Sequence, residues 1–407
     1  MIARQPVYRR LAPLIAASFT GSFWLWVPVE KLFLSQIGFT AQTIGLMAAA
    51  YSATVPLLDV PSALLADRWS RRGVLCIGNV SAFFACIVGG LSHNVGTYLM
   101  AAVLLGVYFA MQSGTFDAIV YDTVLEETGG SDQFEKVLGR VRIFESVALV
   151  LGALGGGLMA SATSPRATYF ATAPLLLVST ACLFSFREPR LHAERTAGSL
   201  RRHVRLAAGA VRGKHLLPIA GLLVLTTMLT QAVFEFGPLW LVDAHTSAGA
   251  FGPAWAALVA ALGLGGALAG RLRLRSLATQ ALVAVLLVGA AAVLLVSDYV
   301  VVITTVQVIT ATLSVALGIL FTRQLHDAVP SDVRTGVASG LSTFTWVIFL
   351  PFALGFGVVS QRLGIHAAGW LLVGLAVAIG GLLLGAGRLP APSVPAVGAD
   401  PGLELAA

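Results

Sequence analysis

The chain has 407 residues, of which 57% are hydrophobic and 11% charged, against about 25% charged in an ordinary soluble protein; a water-soluble globule is excluded. Mean hydropathy is +0.86, and apolar runs of about 20 residues recur along nearly the whole length, each long enough to cross a hydrocarbon layer of about 30 Å. In such a chain the net charge of +7 reports sidedness in the membrane and does not imply nucleic-acid binding.

Charge clusters, Gly and Pro, and short polar breaks place spans 1 to 6 at about 11–34, 41–66, 74–92, 97–122, 141–162 and 167–186. Spans 7 to 12 follow at about 216–242, 250–270, 277–297, 299–322, 336–359 and 366–387. The expected fold is an all-α membrane protein with a six-helix half at 1–186, a linker at 187–215, a second six-helix half at 216–388 and a Pro-containing, disordered tail at 389–407. The apolar stretch after Arg9 and Arg10 outruns a signal-peptide core and is followed by more spans, so it reads as span 1. Abundant Gly (43) and Pro (17) suit membrane bundles, where small residues allow close contact and neighbouring helices re-satisfy the backbone.

With these spans, 23 of the 26 Lys and Arg residues fall on one side, and Lys31, Arg166 and Arg362 fall on the other. A wrong span count would scramble that asymmetry, so both termini and the 187–215 linker are expected in the cytoplasm of a cell-membrane protein. Within the linker, Leu200, Val204, Ala208 and Val211 recur among Arg201, Arg202, Arg205 and Arg212; either a short helix on the anionic leaflet or a solvated basic linker fits.

Charges inside spans cost at least about 2.5 to 3.5 kcal/mol at mid-bilayer, so each is a functional candidate. In span 1, Phe19, Phe23, Trp26 and Glu30 follow spacings that put them on one helical face, an aromatic wall ending in an acid that suits an amphiphilic or cationic solute. The competing reading is an interfacial belt of Trp24 and Trp26 with a Glu30–Lys31 ion pair at the rim. Asp59, Asp117, Arg142 and Glu145 fall in the inner thirds of spans 2, 4 and 5, where they either neutralise one another as a gate network or contact the solute. In span 7, Thr227, Gln231 and Glu235 recur every four residues and share a face. Glu235 lies roughly 28 Å into that span, pointing to a wet cavity or a buried partner, with a substrate or proton role set against a hydrogen-bonding one.

Nothing points to an enzyme, a cofactor or a metal. Cys76, Cys86 and Cys182 lie in apolar runs without C-x-x-C spacing, and the seven His sit in loops or near span ends without a ligand pattern. Gly209–His215 is one residue short of a phosphate-binding loop and lacks its hydroxyl, and no carbonyl-filter segment suggests a channel.

Between spans 2 and 3 the chain reads Ala63-Leu64-Leu65-Ala66-Asp67-Arg68-Trp69-Ser70-Arg71-Arg72. This resembles the signature loop of the major facilitator superfamily, G-x-L-a-D-R-x-G-R-R, with Ala63 and Ser70 in place of its glycines. Leu58-Asp59-Val60-Pro61-Ser62 and Ser113-Gly114-Thr115-Phe116-Asp117-Ala118, with Tyr121-Asp122, resemble segments of bacterial members. The resemblance implies a conformational latch for the outward-open state, with Asp67 against the N-terminus of span 11 and Arg71 or Arg72 paired with Asp122; Arg68 shares the loop. Gly270 stands where the second half would carry the acid. Gly152-Ala153-Leu154-Gly155-Gly156-Gly157 resembles the G-P-x-x-G-G element of drug:proton antiporters, with its Pro replaced, and also reads as a close-packing face. The span 4 Arg that antiporters often carry is absent, Ala102 standing at its position.

Lys31-Leu32-Phe33-Leu34 near the end of span 1 is echoed 207 residues later by Pro238-Leu239-Trp240-Leu241 near the end of span 7, as an internal repeat requires. The function expected is proton-coupled export of a hydrophobic or cationic small molecule by a single chain in the bilayer. Import of a small polar solute and a non-transporting sensor or scaffold are the alternatives. Candidate substrate or proton ligands are Phe23, Trp26, Glu30, Asp117, Glu145, Gln231 and Glu235.

Overall fold

The computed structural model describes residues 6–112, 115–129, 133–189, 216–328 and 331–385, so the linker from 190 and the tail from 386 lie outside the described residues. Every regular element described is helical, since hydrocarbon offers backbone groups no partner outside their own segment. The first half comprises α1 (Pro6–Gly21), a 3-10 turn (Val27–Val29), α2 (Glu30–Gln36), α3 (Ala41–Arg68), α4 (Arg71–Leu91), α5 (Val95–Gln112), α6 (Thr115–Thr128), α7 (Phe134–Ala162) and α8 (Pro165–Ser185). The second comprises α9 (Leu217–Phe236), α10 (Pro238–Asp243), α11 (Ala248–Ala269), α12 (Leu277–Val293), α13 (Val300–Ala328), α14 (Ser331–Leu363) and α15 (Ile365–Gly385). Among the described residues, ten stretches are long and apolar enough to cross a membrane by themselves. The 17-residue α12 and the broken first span bring the crossings to twelve.

Helix starts follow local chemistry. Thr40 and Thr43 form a reciprocal capping box on α3, and the hydroxyls of Ser70, Ser164 and Ser276 accept from backbone N–H groups three residues on. We refer to the end of the bundle carrying Arg68, Arg71 and Arg72 as the basic end and to the opposite one as the far end.

Span 1 is not one helix, which corrects the continuous stripe expected of Phe19, Phe23, Trp26 and Glu30. The chain unwinds over residues 22–26, makes a 3-10 turn and restarts as α2 at Glu30. A Gly21-Ser22 pair and Pro28 bracket the break, both recognised causes of helix interruption. The unwound strand lies on the glycine face of α7, where a Cβ on Gly152 would come 3.1 Å from Trp24 N and one on Gly156 would collide with Leu25 O. Glycine is required there because backbone meets backbone.

Span 7 is interrupted at the equivalent place. Pro238 opens α10 and cannot donate to the carbonyl four residues back, while Gln307 Nε2 donates to the Gly237 carbonyl at 3.0 Å. The sequence echo therefore marks matching restarts, and α2 packs against α10.

The halves meet chiefly through α3 against α14 and α7 against α11. Both contacts are tightest at the far end, where a Cβ on Gly45 would sit 2.5 Å from Ala353 O and one on Gly157 would sit 2.7 Å from Gly252 Cα. One apolar core runs across both halves, taking Trp26, Phe33 and Phe39 from the first and Phe236, Trp240 and Phe356 from the second. Nearer the basic end the first half has a separate core of its own, including Leu11, Leu75, Ile119 and Val141.

Candidate functional site

The two helix breaks set charged side chains against each other across the halves. Lys31, on the first turn of α2, is 3% exposed; its Nζ donates to Glu30 Oε2 at 2.7 Å and to Glu235 Oε1 at 2.5 Å. Glu235 ends α9 just before the break and also accepts from the Tyr51 hydroxyl of α3 at 2.8 Å. Tyr98 donates to Glu30 Oε1 at 2.8 Å, and its hydroxyl lies 2.7 Å from that of Tyr169, so Tyr169 donates to Tyr98 in turn. Two carboxylates and one ammonium leave a formal charge of −1 when all are ionised.

This cluster lines a cavity of about 200 Å3, bounded otherwise by Trp26, Met47, Leu105, Phe109, Phe234 and Trp255. Mostly apolar walls with a few convergent polar groups are what ligand sites generally present. One donor on its wall, Trp26 Nε1, is buried without a nitrogen or oxygen partner, the Cys86 thiol lying beside the indole, and the Gln231 amide lies beside the Tyr51 hydroxyl. A second, more open cavity of about 470 Å3 lies towards the basic end, lined by Thr227, Thr230, Ser314, Gly318 and Thr322, and shares Gln231 and Phe234 with the first. The stripe Thr227, Gln231, Glu235 thus runs from one cavity into the other.

A second cluster of two acids and one base sits wholly in the first half. Arg142 donates to Asp117 Oδ1 at 2.6 Å and to Glu145 Oε2 at 2.7 Å, with Arg142 and Asp117 about half exposed, at 51% and 45%. Ser18 donates to the other Glu145 oxygen. Behind it lies a small polar cavity walled by Ser22, Asn79, Gln112 and Ser179. Asp59, expected in this network, makes no ion pair among the described residues.

At the basic end Arg71 Nη1 donates to Asp122 Oδ2 at 2.7 Å, both side chains being buried. Arg72 turns elsewhere, to the Phe186 carbonyl at 2.9 Å, and Arg68 is exposed. The Asp67 side chain lies outside the described residues. Sequence reasoning missed Glu188, which accepts from the Arg71 and Arg72 backbone N–H groups at 2.6 and 3.1 Å and from Ser70 Oγ at 2.8 Å. A carboxylate there satisfies orphan N–H groups and complements the positive end of α4.

Trp26 and Glu30 line the main cavity, with Gln231 and Glu235 across from them. Phe23 does not; it packs edge-on against Phe19, ring centroids 5.1 Å apart. Asp117 and Glu145 belong to the separate Arg142 cluster. Lys31, read as a far-side rim charge, is buried in the protein interior because the break in span 1 turns it inward. Tyr51, Tyr98 and Tyr169 had no signal beyond their presence in apolar spans. At the far end His366, Asp298 and Asp243 converge from distant segments, His366 Nε2 lying 3.0 Å from Asp298 Oδ1 and 3.9 Å from Asp243 Oδ2. Sequence spacing cannot reveal such a tertiary grouping.

The model of the Major Facilitator Superfamily matches residues 11–348. A chloramphenicol resistance protein of Streptomyces lividans is 29% identical over 389 residues, covering 92% of this chain and 95% of that protein. The quinolone resistance protein NorA of Staphylococcus aureus is 23% identical over 166 residues, so the match spans 41% of this chain and 42% of the relative. Among solved structures, the nucleoside transporter NupG superposes with a TM-score of 0.75 at 12% identity, over 94% of this chain and 99% of that one. A bacterial homolog of the human lysosomal transporter Spinster, in an inward-facing and unoccupied conformation, gives 0.67 at 15% identity over 93% and 94%.

Proposed function

The chain belongs to the Major Facilitator Superfamily, and on that premise we propose that this multi-pass transporter exports a hydrophobic or cationic organic compound in exchange for protons, by alternating access. The observation that carries the reading is Glu235, a carboxylate from the second half held by Lys31 and Tyr51 of the first inside an aromatic cavity. A group in that position serves three steps: it binds a proton or a cation, it links the halves, and it lets go of the link when its charge is met from elsewhere. The resistance proteins among the relatives support the export direction, and the aromatic walls support an apolar or cationic solute.

We assign the basic end to the cytoplasm from the distribution of Lys and Arg, which puts the far end, sealed by glycine contacts, on the outer side. Arg71 and Asp122 tie the signature loop to α6, and Asp67 acts on the N-terminus of α14 when the transporter faces outward. The hydroxyls of Thr227, Thr230, Ser314 and Thr322 in the second cavity favour import of a small polar solute as the second reading.

A substrate-panel flux assay in proteoliposomes under an imposed pH gradient tests the proposal. Glu235→Gln keeps shape but fixes the group neutral, so it is expected to abolish gradient-driven transport while leaving folding intact. Wild-type flux with unchanged pH dependence in that variant would make Glu235 structural and return the coupling role to Glu30, Asp117 or Glu145.

A further inference from the structure

We propose that Lys31 is a tethered occupant of the transporter's cation site, so that the ligand admitted at Glu235 is an organic monocation that takes the place of the Lys31 ammonium. The inference rests on the reading of this cavity as the transport site and adds the charge of the ligand and the group it displaces.

Glu30, Lys31 and Glu235 sum to −1, and the cation they share is carried by one side chain donating to both acids, at 2.7 and 2.5 Å. Glu30 has a second donor, Tyr98, and sits next to Lys31 in the chain, so the Glu30–Lys31 pair survives if Lys31 lets go of Glu235. Glu235 would then keep Tyr51 and have one oxygen free. A monocation placed there completes two neutral pairs, Glu30 with Lys31 and Glu235 with the ligand, and no charge is left over. A neutral ligand leaves the cavity at −1, and a dication leaves it at +1; both leave an unpaired charge in a poorly solvated site.

The surroundings fit the same occupant. The Lys31 ammonium stands in a cavity bounded by Trp26, Phe234 and Trp255, with Phe234 and Trp255 edge-on at 5.6 Å, and aromatic faces attract cations once water is excluded. The cavity of about 200 Å3 beside it leaves room for an apolar body that a lysine stem does not fill. Lys31 and Glu235 belong to opposite halves, so displacement of the one from the other also removes the ionic link across the cavity. The ligand is read by the contact that holds the halves together.

The test is equilibrium binding of tetraphenylphosphonium, a lipophilic monocation, to the purified full-length protein in detergent at fixed pH without a gradient. Lys31→Met removes the tethered cation and keeps the stem; it is expected to tighten binding at least tenfold. Glu30→Gln commits Lys31 wholly to Glu235 and leaves no charge unpaired; it is expected to weaken binding at least tenfold. The opposite signs separate competition from general damage to the cavity. If Lys31→Met does not fold, Glu30→Gln decides alone. Affinities within twofold of wild type, a reversed sign, or no binding to any of the three proteins would overturn the proposal. If the two variants shift as expected and no pH-driven export is found, the export reading fails while this one stands. If the wild type pumps and the affinities do not move, the reverse holds.

Discussion

Two of the clusters described above share a formal composition, two acids and one base, in opposite settings. Glu30, Lys31 and Glu235 are 13%, 3% and 12% exposed and join the two halves; Arg142 and Asp117 are about half exposed, and with Glu145 they stay within one half. In the first, desolvation makes every missing partner costly, so the chain supplies Tyr51 and Tyr98 as further donors. In the second, water stands in for a lost partner, and the ion pairs hold little energy. The contrast shows that an acid–base count says nothing of a cluster's role until burial and the parts it connects are known.

Truncation of the base should separate the clusters most. Lys31→Ala leaves two buried carboxylates without their shared cation and is expected to lower stability by about 3 to 5 kcal/mol, the usual cost of breaking a buried pair. Arg142→Ala is expected to cost about 1 kcal/mol or less. Pulse proteolysis in matched detergent reads both, and equal losses would erase the distinction.

Removal of one hydroxyl comes next. Tyr51→Phe takes away a donor from Glu235 across the halves, and a hydrogen bond to a charged group contributes about 1.5 to 3 kcal/mol, enough to shift the ratio of the two facing states tenfold or more towards far-end opening. Ser18→Ala removes a donor from Glu145 inside one half and should leave that ratio unchanged. Thiol labelling of a cysteine placed at Ala353, buried against Gly45 at the far-end joint, measures the shift.

The smallest effect is that of salt. Raising ionic strength from 0.1 to 1 M shortens the screening length from about 10 to 3 Å, so the stability difference between Arg142→Ala and wild type should vanish while that of Lys31→Ala persists. A salt-sensitive Lys31→Ala would mean that water reaches the central cluster freely.

Much of this was legible beforehand because hydropathy and sidedness are properties of single segments. The spans, the Asp122 partner of the signature loop and the stripe Thr227, Gln231, Glu235 all follow from periodicity or local resemblance. The break in span 1 was not foreseen, since its cause is partly tertiary: the unwound residues rest on Gly152 and Gly156, more than a hundred residues away. Gly21-Ser22 and Pro28 were the local hint. Lys31 was misplaced for the same reason, although its standing among only three bases on the far side was a clue. Tyr51, Tyr98 and Tyr169 sit on apolar helices with no pattern around them, and only the fold shows that their hydroxyls meet carboxylates.

The glycine contacts at the far end have a mechanical consequence. Where Gly45 faces Gly357 and Gly157 faces Gly252, the joint is made by smooth backbone surfaces without interlocking teeth. Parting them frees no side chain from a socket and forces no rotamer to change, so the joint offers little friction in either direction. In the proposed alternating access, the barrier to opening this joint would then come from the buried charges and not from the glycine contacts.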